Sequence, residues 1–142
     1  MKKYIAILAL IFIKGCSSSS EDPALTPIAK VLFVNNGDGD IVGVMGESSL
    51  GTKELFVLTS TDANDATPNI IEKGEVGVIE ITKCDVLWDL SYSVSISDDP
   101  LDNIIQAIGM QMYSCDTEYE LTCVTLTFEY LGQPITLTQC ML

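Results

Sequence analysis

The chain is 142 residues long, about one domain's worth, and its 47% hydrophobic content suffices for an ordinary core. Twenty acids face seven lysines, with no Arg and no His, giving a formal net charge of −13. This inventory excludes Ser-His-Asp triads, Cys-His dyads, His-based zinc sites and bidentate phosphate recognition, and so much negative charge repels nucleic acid.

In chain order, Lys2 and Lys3 precede an apolar run at residues 4–13, and the small residues Gly15 and Cys16 follow. That is the grammar of a signal peptide, and the run is too short for a bilayer-spanning helix, which needs about 20 apolar residues. Ile13-Lys14-Gly15-Cys16 resembles a bacterial lipoprotein signal, with Lys14 standing where that family usually has a small or apolar residue. The resemblance implies cleavage before Cys16 and acylation of Cys16, with palmitate among the acyl groups. Ser17-Ser18-Ser19-Ser20-Glu21-Asp22 is similar to the serine-then-acidic stretch behind the lipidated cysteine of Bacteroidota-type surface lipoproteins, which implies anchoring on the outer face of the outer membrane. The expected organisation is a signal peptide at 1–15, a lipidated flexible tether at 16–27 ended by Pro23 and Pro27, and one β-rich domain at 28–142. Cleavage would leave Lys30, Lys53, Lys73 and Lys83 against 20 acids, a formal charge of −16 that keeps such a surface solvated.

Residues 28–34 (IAKVLFV) predict a first strand, the turn-rich Asn35-Asn36-Gly37-Asp38-Gly39-Asp40 follows, and residues 41–45 predict a second, the pair reading as a hairpin. Residues 54–60 predict a third strand and residues 76–83 a fourth, separated by a polar loop ending near Pro68. Residues 84–97 carry the clearest alternation, with Val86, Trp88, Leu90, Tyr92, Val94 and Ile96 on one parity and mostly Asp and Ser on the other. Next comes a predicted helix over residues 100–112: Asp98 or Asp99 caps it, Pro100 suits its first position, and Leu101, Ile104, Ile105, Ile108 and Met112 repeat at helical spacing. Residues 118–130 switch apolar parity midway, which predicts a bulge near residues 122–124. Residues 131–134 read as a turn and residues 135–141 as the returning strand. The expected fold is mainly β, an antiparallel sandwich or curled sheet of six or seven strands with the late helix packed on it; a lipocalin-like barrel is the alternative.

Setting Cys16 aside for lipid leaves Cys84, Cys115, Cys123 and Cys140, an even set that suits disulfides in an exported protein. Pairing Cys123 with Cys140 and Cys84 with Cys115 fits the expected strands, as does Cys115 with Cys123 and Cys84 with Cys140. A four-cysteine zinc site is the competing reading, but the chain has no C-x-x-C. Asn36, Asp38 and Asp40, with Glu47 further on, are spaced like the ligands of an EF-hand loop, although Ile41 replaces the turn glycine; they are a candidate calcium site or simply a soluble turn. Asp62, Asn64 and Asp65 carry the same two readings, whereas Asp98, Asp99 and Asp102 suit a helix cap and its dipole. Trp88, Tyr92, Tyr119, Phe128 and Tyr130 either line a sugar or lipid site or pack the core, and the regular parity of Trp88 and Tyr92 favours the core. No cofactor is expected beyond possible calcium. The sequence points to a non-catalytic, lipid-anchored cell-surface protein that binds a protein or glycan partner or assists one. The alternatives are a structural envelope component, a lipocalin-like carrier of a small apolar ligand, and a small carboxylate-dependent hydrolase.

Overall fold

The computed structural model describes residues 25–62, 69–95 and 102–142. The signal segment, Cys16 and most of the tether therefore lie outside the described residues, as do Asn64, Asp65, Asp98, Asp99 and Pro100. Among the described residues there are nine strands: β1 (Ala29–Asn35), β2 (Ile41–Ser48), β3 (Lys53–Phe56), β4 (Thr59–Ser60), β5 (Val76–Ile81), β6 (Val86–Ser95), β7 (Asn103–Tyr113), β8 (Glu118–Tyr130) and β9 (Gln133–Met141). They form two sheets, ordered β4-β5-β1-β8-β9 and β3-β2-β6-β7. Neighbouring strands are antiparallel except β1 and β8, which run parallel from Lys30 beside Glu118 to Asn35 beside Cys123.

The alternation that marks residues 84–97 is what fills the space between the sheets. Trp88, Leu90, Tyr92 and Val94 of β6 are buried and share one core with Val31 and Phe33 of β1, Ile79 and Ile81 of β5, and Leu121 of β8. Phe33 and Tyr92 meet edge to face at 6.3 Å, and Phe56 meets Trp88 the same way at 5.3 Å. The fold is thus mainly β with two sheets, compatible with the sandwich expectation. Neither sheet closes on itself, so the barrel alternative does not hold; side chains occupy the space a barrel would leave for a ligand.

The late helix is a strand instead, since the residues assigned to it from 103 onward form β7. Ile104, Gln106 and Ile108 face β6's buried side. The register then slips by one residue, with Leu90 opposite Gly109 and Ser91 opposite Ala107, and Gln111 and Tyr113 face inward. Gly109 takes a φ of 103° at the slip, which marks a bulge. A period-two strand with one bulge places apolar residues at spacings that imitate a helix. Glycine inside a helix would cost about 1 kcal/mol relative to Ala, and the β-branched Ile104, Ile105 and Ile108 favour a strand.

Three smaller expectations also change. Residues 54–60 do not form one strand, because β3 lies in one sheet and β4 in the other. β1 and β2 do not form a hairpin; the chain crosses from sheet to sheet between Asn35 and Ile41. The buried Asn35 governs this crossing: its Nδ2 donates to the carbonyls of Gly39 and Ile71, both at 3.0 Å, and its Oδ1 accepts the Gly37 N–H at 3.1 Å. Gly37 and Gly39 are packed so closely that a Cβ would lie 2.3 Å from Thr138 Cγ2 and 2.6 Å from Val94 Cγ1, respectively. Dense turn chemistry here closes one end of the core. Finally, β8 has no bulge. It pairs with β9 in unbroken register from Thr122 opposite Met141 to Tyr130 opposite Gln133, through a two-residue turn of Leu131 and Gly132 with positive φ at both.

Two disulfides join Cys84 to Cys115 and Cys123 to Cys140. The first closes the open end of the β6–β7 pair, just before Val86 and just after Tyr113. The second links residues directly opposite each other on β8 and β9. Closing loops of this length stabilises by about 3 kcal/mol each.

Asn35→Ala removes three hydrogen bonds and takes a partner from the Gly39 carbonyl and the Gly37 N–H near the core, while the Ile71 carbonyl keeps the Ile41 N–H. It should lower unfolding free energy in urea by about 1–3 kcal/mol without changing the denaturant slope. A value near zero would show that water substitutes for the side chain.

Candidate functional site

β8 pairs with β1 only as far as Cys123, but continues to Tyr130. Beyond the Cys123–Cys140 bridge, β8 and β9 therefore leave the body as a two-stranded arm whose five outer rungs run from Leu126 opposite Leu137 to Tyr130 opposite Gln133. At about 3.4 Å per residue the arm is roughly 15–20 Å long. Its two faces differ. Leu126, Phe128, Tyr130, Ile135 and Leu137 share the side that continues the outer surface of their sheet, while Thr127, Glu129, Pro134 and Thr136 share the other. Phe128 is 45% exposed, Tyr130 61% and the tip residue Leu131 87%. Leu131 also has a φ of 52°, a turn position where Asn or Gly is ordinarily preferred.

The arm's root is locked by a polar seam between the two sheets. Thr138 and Cys140 of β9 turn backbone groups away from β8, toward β6 and β7. The Tyr92 hydroxyl accepts the Cys140 N–H at 2.7 Å and donates to Gln106 Oε1 at 3.2 Å, and Gln106 Nε2 donates to the Thr138 carbonyl at 2.9 Å. Thr138 Oγ1 accepts the Gly39 N–H at 2.8 Å. Burial raises the pKa of Tyr92, and the Cys140 N–H opposes that rise. Two side chains thus satisfy an edge that would otherwise be open.

The aromatic residues divide between core and arm. Trp88 and Tyr92 are fully buried, and Trp88 Nε1 donates to the Lys83 carbonyl at 2.9 Å. Tyr119 is half-buried; its hydroxyl accepts the Ser114 N–H at 2.9 Å, and its ring meets Tyr113 edge to face at 5.0 Å. Phe128 and Tyr130 stand on the exposed apolar side of the arm.

Of the candidate calcium ligands, Asp38 is already engaged. Lys73 Nζ donates to one carboxylate oxygen and Thr125 Oγ1 to the other at 3.0 Å, while the Asp38 N–H donates to Thr125 Oγ1 at 2.7 Å. The Lys73 hydrogen bond, then that from Thr125, then the Lys73 charge hold the Asp38 carboxyl below its ordinary value. A cation at this loop would have to displace an ammonium group. Asp40 contributes its carbonyl to the Ser95 N–H at 2.9 Å, and Glu47 pairs across β2 and β3 with Lys53 at 3.4 Å. Asp62 follows β4, where its N–H donates to Ser60 Oγ at 3.1 Å, and Asp102 precedes β7 rather than capping a helix. Cys84 and Cys115 come together with Asp85, but their sulfurs are bonded to each other and offer no thiolates to zinc. On the outer surface of the other sheet, a shallow depression of about 430 Å³ has Met45, Leu55 and Ala107 at its floor and Glu47, Lys53 and Asp89 at its rim.

No protein-family model matches this chain, and neither does any curated protein or solved structure.

Asn35, Gln106 and Thr138 escape sequence reasoning because isolated polar residues in strands carry no periodic signal. The arm did leave one. The apolar parity of β8 changes after Cys123, and that of β9 changes between Leu137 and Cys140, on the same rungs.

Two measurements follow from these environments. Among the described residues the buried Tyr113 hydroxyl has no hydrogen-bond partner, and burial, followed by repulsion from Tyr119, raises its pKa to about 12. Tyr113→Phe should therefore leave stability unchanged or raise it by about 1 kcal/mol in thermal unfolding. Because the folded pKa is raised, Tyr113 also contributes stability below pH 10 that is lost as pH rises toward 12, and the variant should lack that part of the alkaline loss. A marked fall in melting temperature at neutral pH would mean that the hydroxyl is satisfied. Asp38 has the opposite sign. Its folded pKa lies below 3.8, so its contribution is present above that value and lost as pH falls through the lowered one. The melting-temperature gap between wild type and Asp38→Asn should close on acidification and narrow in high salt. A gap independent of both would exclude the ionic contribution.

Proposed function

We propose that this protein is a non-catalytic, lipid-anchored module of the outer membrane's outer surface, and that it meets a protein partner through the β8–β9 arm. One observation carries the binding half of this reading: an exposed apolar arm stands at the far end of the fold from the point where the tether joins. Ile28 lies beside Asp116, whose N–H donates to its carbonyl at 2.7 Å, next to the start of β8. β1 and β8 run parallel from there, and the arm's tip is at the other end of β8, roughly 40 Å away at the rise of an extended strand. A tether acylated at Cys16 would hold the near end toward the membrane and leave the arm pointing outward. Exposed aromatic and aliphatic side chains on a projecting element suit protein recognition, because each buries much area with few rotamers to fix. The sandwich description supports the same picture, a rigid body that carries a recognition element on a fixed root.

The two halves are tested separately. Cys16→Ser should move the protein from the membrane fraction to the soluble fraction, and continued membrane retention would remove the anchor from the proposal. A photoreactive amino acid in place of Phe128 should give a discrete protein adduct on illuminated cells, whereas the same probe replacing Leu55, 73% exposed on the other sheet, should give little. Absence of any adduct at position 128, or equal adducts at both, would remove the arm as a recognition surface.

A further inference from the structure

The proposal that follows rests on the arm being a recognition surface and names its occupant. Consider first how a partner can approach. β9 is an edge strand, yet adding a further strand to it is obstructed at nearly every outward-facing position. Pro134 has no N–H to offer, the Thr138 carbonyl is taken by Gln106, and the Cys140 N–H is taken by Tyr92, leaving Thr136. Contact must therefore be made through the apolar side of the arm. That side continues onto the body, because Val124 and Met141 lie on the same surface as Leu126 and Phe128, with the uncharged Gln139 and Thr122 beside them.

Charge narrows the choice of occupant. In a chain with a net charge of −13, residues 124–142 contain a single ionisable carboxyl side chain, Glu129, and it lies on the opposite side of the arm. The arm is therefore where two copies of so acidic a molecule can touch while their bodies stay apart. A basic partner would instead be drawn to the acidic body and gain nothing electrostatic from the arm. Area is sufficient. From their exposures, Leu126, Phe128, Tyr130, Leu131 and Met141 leave on the order of 500 Å² open, so two copies face to face would bury roughly 1,000 Å², about the least that a specific interface clears. Symmetry agrees as well. A two-fold axis running along paired arms keeps both tether attachments at the same end, as two chains anchored in one membrane require. Sharing a surface also raises their effective concentration. Leu131 at a strained, solvent-facing turn position gains a packing role at the tip of such a pair.

We propose that the outer side of the β8–β9 arm is a self-association surface on which a second copy of this chain docks face to face. Packed sheets lie about 10 Å apart, a gap that a bis-maleimide of similar span bridges. Leu126→Cys and Thr127→Cys are adjacent positions on opposite sides of the arm, and each would be made in the full chain in its native membrane and treated with that reagent. Leu126→Cys should give a several-fold excess of dimer over Thr127→Cys, and adding Phe128→Glu to Leu126→Cys should abolish the dimer band. Near-UV circular dichroism of both purified backgrounds guards against loss of fold, since the buried Trp88 reports on the core. Three results would overturn the proposal: equal dimer from both positions, monomer alone from Leu126→Cys, or a Leu126→Cys adduct with a different protein. The last would leave the arm a recognition surface and remove only self-association; the absence of any adduct, here and with the photoreactive probe, would remove both.

Discussion

Everything distinctive in this fold depends on how the edge of β9 is satisfied. The two sheets share no strand ladder, so apart from the apolar core they are held by side chains that cross between layers. The Tyr92 hydroxyl and the Gln106 carboxamide fill this role, meeting a backbone N–H and a carbonyl of β9 at hydrogen-bond distance. They are placed to do so because Tyr92 and Gln106 oppose each other across β6 and β7, on the inward side. Net gains for such bonds are about 1 kcal/mol each, but leaving the same groups buried and unpaired costs more, so the seam selects one alignment of the sheets. The Cys123–Cys140 bridge lies on the same rungs and holds the hairpin in register there.

Much of the body could be read from residue pattern alone. β6 announced itself by long alternation, and its Trp88, Leu90, Tyr92 and Val94 are indeed buried. Where the reading failed, two local rules gave the same surface pattern. In β7, a strand with one bulge copied the spacing of an amphipathic helix, and only Gly109 and the β-branched neighbours argued otherwise. In β8, a change of apolar parity imitates a bulge. The matching change on β9 shows what separates the two cases: a bulge shifts one strand, whereas an arm that leaves the core shifts both strands at one level. The Asn35–Asp40 segment failed for a different reason, since turn-forming residues say that the chain bends but not which sheet it joins next. The candidate site was less legible still. Phe128 and Tyr130 stood out as aromatics, but their exposure depends on how far β8 outruns β1, a tertiary fact.

The arm and the body also solve opposite problems with the same kinds of residue. Inside, aromatic rings pack edge to face and their polar atoms find backbone partners, with the Tyr113 hydroxyl the exception. Outside, apolar side chains of similar size are held in a defined row by a two-stranded ladder that, among the described residues, has no core beneath it. A ladder of this length is marginal alone in water. Here it is fixed at its root by the disulfide, the polar seam and Thr125 against Asp38, so its shape is set before anything binds.

The parallel pairing of β1 with β8 bears on how this chain reaches its native state. β1 is flanked by β5, which is made some fifty residues later, and by β8, later still, since Lys30 pairs with Glu80 on one side and Glu118 on the other. No local contact can complete it, and loops this long must close before any ladder energy is recovered. An N-terminal fragment ending before residue 118 would carry β1 as an unsatisfied edge, open to aggregation or to proteolysis. With this topology β1 gains its second neighbour only once residues 118–123 are available to pair with it. Cys123 and Cys140 stand directly opposite each other on the neighbouring ladder, so their oxidation covalently records that β8 and β9 have found this register.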